Sequence, residues 1–127
     1  MGWKIGNNGF EMMLSSELPK IILNSAAPRA KEILRQRGID VSQIKHWALH
    51  PGGRAILDAL QNGLNLSDKQ LKPSREVLRN YGNLSSVSIL FVLKNIIYNE
   101  SLLKDDFCCA IAFGPGLTME LVLFKVI

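Results

Sequence analysis

The hydrophobic and polar positions alternate between short apolar runs and longer amphipathic stretches. Residues 9–14, Gly-Phe-Glu-Met-Met-Leu, are mostly apolar and are followed by two serines, which predicts a strand. Pro19 suits the first turn of a helix, and Ile21, Ile22 and Ala26 follow at helical spacing. Pro28 restarts a helix. There Ala30, Ile33 and Leu34 share a face, Arg29, Lys31, Arg35 and Arg37 face water, and Gly38 is the stop. Residues 46–49 predict a strand ending at His50, because Pro51-Gly52-Gly53 does not readily continue one. Ala55, Ile56, Ala59 and Leu60 then recur at helical spacing, with Gly63 ending that helix. Ser67 and Gln70 have the spacing of a capping box, and Ser74 is expected to cap a second short helix over residues 75–80.

Residues 86–98 are apolar nearly all round, and their length favours a buried helix over a strand. A polar connection over residues 99–106 leads to two predicted strands, 107–113 and 117–127, separated by Gly114-Pro115-Gly116. The order β, α, β, α, α, β, β predicts an α/β layer structure closed by an antiparallel hairpin. Trp3, Trp47 and the Met12-Met13 pair are expected in the core.

Composition narrows the class. The 127 residues suit one domain, and 47% hydrophobic with 20% charged content excludes a disordered chain. The net charge of +4 is small, and no run of Lys or Arg exceeds two, so no nucleic-acid partner is expected. The start of the chain has no apolar signal region, and runs such as residues 89–93 are far shorter than a membrane span. Cys108 and Cys109 are the only cysteines, and adjacent strand residues point to opposite faces. No internal disulfide framework is possible, which favours a cytoplasmic setting. His46 and His50 could share a face, but no further metal ligands are evident, so no metal site is predicted.

Three short motifs carry candidate chemistry. His50-Pro51-Gly52-Gly53 stands at a strand end before a helix, where ligands bind in open α/β sheets. The helix N-terminus keeps the imidazole neutral, able to donate to a developing oxyanion, although the motif alone could equally be a turn with a capping His. Tyr81-Gly82-Asn83-Leu84-Ser85-Ser86 precedes the most apolar helix. An Asn amide donates without competing for protons, although Asn83 or Ser85 could equally cap that helix. Phe113-Gly114-Pro115-Gly116-Leu117-Thr118 is a tight turn whose backbone can lie against a substrate, or an ordinary hairpin loop.

In this order and spacing, the three motifs resemble the C-terminal domain of chalcone and stilbene synthases, the type III polyketide synthases. Ser74-Arg75-Glu76-Val77-Leu78 fits the same resemblance, which covers the whole chain. Ala112 departs from it, since the family usually has Gly before the Phe of the third motif, and Arg54 stands where the family varies. The ketoacyl synthases III form a second, related resemblance.

The resemblance implies the C-terminal half of a thiolase-like fold, with a mixed sheet and packed helices, incomplete on its N-terminal side. It implies an acyltransferase that condenses an acyl starter with malonyl-CoA by decarboxylative Claisen chemistry. His50 and Asn83 would be catalytic, holding the thioester carbonyl as a pair of neutral donors. Gly52, Gly53, Ala55, Ser85, Phe113, Gly114, Pro115 and Gly116 would bind substrate. Coenzyme A thioesters would be substrates, with no cofactor. The implied nucleophilic Cys lies on the N-terminal half, so that half of the enzyme is an expected partner, a homodimer is expected, and the chain alone is expected to be inactive. A non-catalytic dimerisation or scaffold remnant is the alternative.

Overall fold

The computed structural model describes residues 2–127. Alternation across the two-residue turn Asn7-Asn8 builds a β-ribbon from β1 (Gly2–Gly6) and β2 (Gly9–Met13), with Trp3 opposite Met12 and Ile5 opposite Phe10. The sequence predicted only the second strand. Trp3, Met12 and Met13 are exposed at 55%, 43% and 57%, which corrects their assignment to the core. A two-stranded ribbon has no second layer over its apolar face.

The next helices run on without a break. Helix α1 (Leu18–Ile21) passes through a π-helical turn (Ile22–Ala26) into α2 (Ala27–Gln36). Pro28 has no N–H to donate, and the widened turn, with Ala27 N–H donating to Ile22 O, absorbs the interruption. Ala27, Ala30 and Leu34 face the core.

Strand β3 (Ile44–Leu49) leads to α3 (Arg54–Leu64), which closes at Asn65 in the left-handed region, φ 61°. Gly63 therefore lies inside the helix rather than ending it. A Cβ built there would sit 2.4 Å from Ala27 Cβ, so glycine permits the close crossing of α3 on α2. Gly63→Ala is expected to lower the thermal midpoint. Overpacking of about 1–3 kcal/mol outweighs the helix-propensity gain of about 1 kcal/mol. The double change with Ala27→Gly should recover much of the loss, and a raised midpoint in the single variant would contradict this packing.

Residues 68–81 form one helix, α4 (Asp68–Tyr81), with Pro73 inside it. Ser67 and Gln70 make the expected capping box. Ser74 does not cap a second helix; it is buried, and its Oγ accepts Leu49 N–H at 3.1 Å. Gln70 Nε2 donates to Ile44 O at 3.2 Å, so α4 covers the outer edge of β3. Helix α5 (Ser88–Asn99) buries Ser88, Val92 and Ile96 at a spacing of four. Leu90, Ile97 and Tyr98 are 60–77% exposed, so α5 is buried on one face only, not all round.

Strands β4 (Phe107–Gly114) and β5 (Thr118–Lys125) complete a mixed sheet of order β3-β4-β5, with β3 parallel to β4 and β4 antiparallel to β5. One core layer packs Trp47, Leu49, Cys109 and Ile111 against α2 and α3. The other packs Ala48, Cys108 and Ala110 against Val77, Val92 and Ile96. Apolar residues of β3 and β4 thus serve both faces, as a covered parallel pair requires.

Candidate active site

The site forms where β3 ends. His50 N–H donates to Ile111 O at 2.9 Å, the last backbone bond tying this strand to β4. The chain then turns through Pro51 and Gly52, whose N–H returns to His50 O at 2.9 Å, and α3 starts at Arg54. A Cβ at Gly52 would stand 3.6 Å from His50 Cδ2, so the imidazole lies against that glycine.

Asn83 reaches the same place from the end of α4. Gly82 closes the helix at φ 71°, with its N–H on Leu78 O at 2.9 Å. Asn83 Oδ1 accepts Ser85 N–H at 2.9 Å, and Asn83 Nδ2 donates to Gly52 O at 3.3 Å. The two bonds set which end of the amide is which, and they tie the His50 loop to the Asn83 loop. A primary amide has two N–H groups, so one remains for a ligand.

Both side chains line one cleft of about 690 Å³. Of the residues singled out from the sequence, His50, Gly52, Gly53, Ala55, Asn83, Ser85, Phe113, Gly114 and Pro115 line it. Gly116 does not; at φ 71° it shapes the turn after Pro115. Phe113 also packs on the core below. A Cβ on Gly114 would meet Thr118 Oγ1 at 2.7 Å, so this backbone stays bare on the cleft wall. Sequence reasoning missed another part of the cleft wall, which Trp3, Met12, Leu14, Leu18 and Ile22 supply. The signal was present in the period-two pattern Trp3-x-Ile5 and Phe10-x-Met12-x-Leu14 around Asn7-Asn8-Gly9.

Burial lowers the His50 pKa from its ordinary value of 6.5, which keeps the ring neutral at physiological pH. Ring-proton NMR should give a His50 midpoint below 6.5; a midpoint at or above that value would contradict the burial. The His50 contribution to stability is full above 6.5 and is lost as pH falls through the lower folded value, because the unfolded chain takes the proton first. His46 stands at the far end of β3, its Nε2 3.1 Å from Asp106 Oδ2, and does not join the site.

The whole chain, residues 1–127, matches the family described as chalcone and stilbene synthases, C-terminal domain. The chain belongs to this family. The match also decides between this reading and the ketoacyl synthases III. The domain is 38% identical over 124 residues to an alpha-pyrone synthesis polyketide synthase-like protein of Mycobacterium tuberculosis, covering 97% of this chain and 32% of that protein. It is 35% identical over 125 residues to type III polyketide synthase B of Arabidopsis thaliana, covering 92% and 32%. The chain thus spans about a third of the length of the curated relatives it matches.

Solved structures agree. A 1,3,6,8-tetrahydroxynaphthalene synthase from Streptomyces coelicolor A3(2), a bacterial type III polyketide synthase, superposes with a TM-score of 0.90 at 28% identity. It covers 98% of this chain, which covers 35% of it. PKS-I from the brown alga Ectocarpus siliculosus gives a TM-score of 0.88 at 34% identity, with the same coverage. The architecture of this chalcone and stilbene synthase domain is therefore thiolase-like. Ala112, where the family usually has Gly, lines the cleft and adds a methyl to its wall.

The two cysteines of the domain are buried. They face opposite core layers, as their adjacency predicts. Burial pushes the Cys108 thiol up to about 11 and the Cys109 thiol to about 12, so neither is a thiolate near neutrality. Among the described residues no group of three or more His, Cys, Asp or Glu is placed to hold a metal. No helix among them is long and apolar enough to cross a membrane.

Proposed function

We propose that this chain supplies the oxyanion-binding wall of a type III polyketide synthase active site. His50 and Asn83 donate to the thioester carbonyl oxygen of a malonyl-coenzyme A extender. The malonyl carboxylate leaves as carbon dioxide when its C–C bond breaks, and the electron pair stays behind as an enolate. The negative charge collects on the oxygen that faces the two donors. The enolate carbon then attacks the carbonyl of an acyl thioester; a C–C bond forms, and the thiolate that carried the acyl group leaves.

The observation that carries this reading is the pairing of a neutral imidazole with an orientation-locked amide on one cleft. Two uncharged donors fixed in place stabilise charge that appears only as the reaction proceeds, and they need no reorganisation to do so. An imidazolium would instead attract the malonyl carboxylate and oppose its loss. With both thiols of this chain buried and protonated, the acyl-carrying nucleophile is a Cys on an N-terminal segment such as the longer relatives provide. The uncovered face of α5, with Leu90, Ile97 and Tyr98, supports packing against such a layer. A homodimer of the assembled enzyme belongs to the same proposal.

Reconstitution tests it. The chain is mixed with a Cys-bearing N-terminal segment of a family member, then given acyl-CoA and malonyl-CoA. A condensation product should form with both pieces present and with neither alone. A folded, stable complex that yields no product, or product made by this chain alone, would overturn the proposal.

A further inference from the structure

The cleft wall is apolar or neutral with one exception. Among the described residues, Arg54 is the only formally charged side chain that lines it. Arg54 is exposed at the first position of α3, four residues beyond His50. It takes part in none of the ion pairs of the described residues; Arg29, Arg37 and Arg79 are likewise outside those pairs, but none of them lines the cleft. A guanidinium with no counter-charge therefore stands at the rim of a cleft whose half-buried imidazole is neutral.

We infer that Arg54 binds a phosphate group of the pantetheine arm that carries the acyl unit. The inference rests on the proposed function, which places a thioester carbonyl at His50 and Asn83. The arm must then run outward from the half-buried His50, past Gly52 and Gly53, and its phosphates emerge where Arg54 is exposed. Among the described residues no other Lys or Arg lines this wall. The guanidinium suits the task because its fork of donors matches phosphate oxygens and is weakly hydrated. The malonyl carboxylate is the wrong partner. A cation paired with it would stabilise the charge that decarboxylation must remove, and would slow the step that His50 and Asn83 promote. The phosphate has two possible sources, free coenzyme A or the phosphopantetheine of a carrier protein, and both present the same chemistry to the guanidinium.

The test is an amide NMR titration of this chain, isotope-labelled and assembled with the Cys-bearing N-terminal segment, with coenzyme A, 4′-phosphopantetheine and pantetheine, following Gly52, Gly53 and Ala55. Arg54→Met keeps most of the apolar stem and lies on an exposed surface, so it leaves the fold intact. It should weaken coenzyme A about tenfold and leave pantetheine unchanged, consistent with loss of a charge-assisted contact. Arg54→Lys should lose less. Added salt should weaken wild-type binding and have little effect on the Met variant. An equal loss for phosphopantetheine assigns Arg54 to the proximal phosphate, which a carrier protein also presents. A loss confined to coenzyme A assigns it to the nucleotide phosphates, which only the free coenzyme has. Coenzyme A binding that is the same in wild type and Arg54→Met would overturn the inference and leave the proposed function standing. Absence of any response at Gly52, Gly53 and Ala55 to all three ligands would overturn the thioester reading of the cleft, and this inference with it.

Discussion

Replacing His50 with Ala in the reconstituted enzyme is expected to lower kcat/KM for condensation by about 100- to 1000-fold. The magnitude is that of removing one fixed donor from a developing oxyanion in a water-poor site. The substitution removes no core contact, because His50 is only half-buried at the sheet end and its backbone N–H keeps the bond to Ile111 O. At neutral pH the loss should therefore appear in turnover far more than in the melting curve. His50→Gln restores an uncharged donor on a longer, floppier stem and should recover part of the rate. A loss of tenfold or less for His50→Ala would remove His50 from the chemistry.

The second large effect is on stability. Trp47→Ala should cost about 3–5 kcal/mol, by the range for deleting a buried aromatic side chain. Trp47 is fully buried between the sheet and the helices α2 and α3, in the same layer as Leu34, Leu57 and Cys109. Its indole Nε1 is buried with no hydrogen-bond partner among the described residues. The stabilisation therefore comes from volume and apolar area, with no contribution from the polar tip. Trp47→Phe, which deletes that unpaired N–H along with some volume, should lose less than half as much in a denaturant titration. A Phe variant as unstable as the Ala variant would show that the indole N–H has a partner in solution.

The sequence was most legible where local rules act alone. Capping at Ser67 and Gln70, the helical face of Ala30 and Leu34, and the opposite-facing cysteines all follow from spacing. The site was legible through residue types at element ends, His50 after β3 and Asn83 after α4. What failed depended on partners far away in the chain. Gly63 looked like a stop because its contact, Ala27, lies 36 positions earlier. Ser74 looked like a cap, but the donor it serves is Leu49, across the edge of the sheet. Trp3 and Met12 looked like core residues because hydrophobicity alone does not tell a packed face from a cleft wall. Helix α5 is apolar on more than one face, and sequence periodicity cannot say which of them is covered.

In the proposed mechanism His50 and Asn83 act on one oxygen. The decisive measurement is a double-variant cycle in the reconstituted enzyme, with His50→Ala, Asn83→Ala and both together, read as kcat/KM for condensation. Donors that share an oxygen act as a unit, so the combined loss should fall well short of the product of the two single losses. Single losses that multiply in full would mean that the two side chains serve separate groups, and the shared oxyanion site would have to be abandoned.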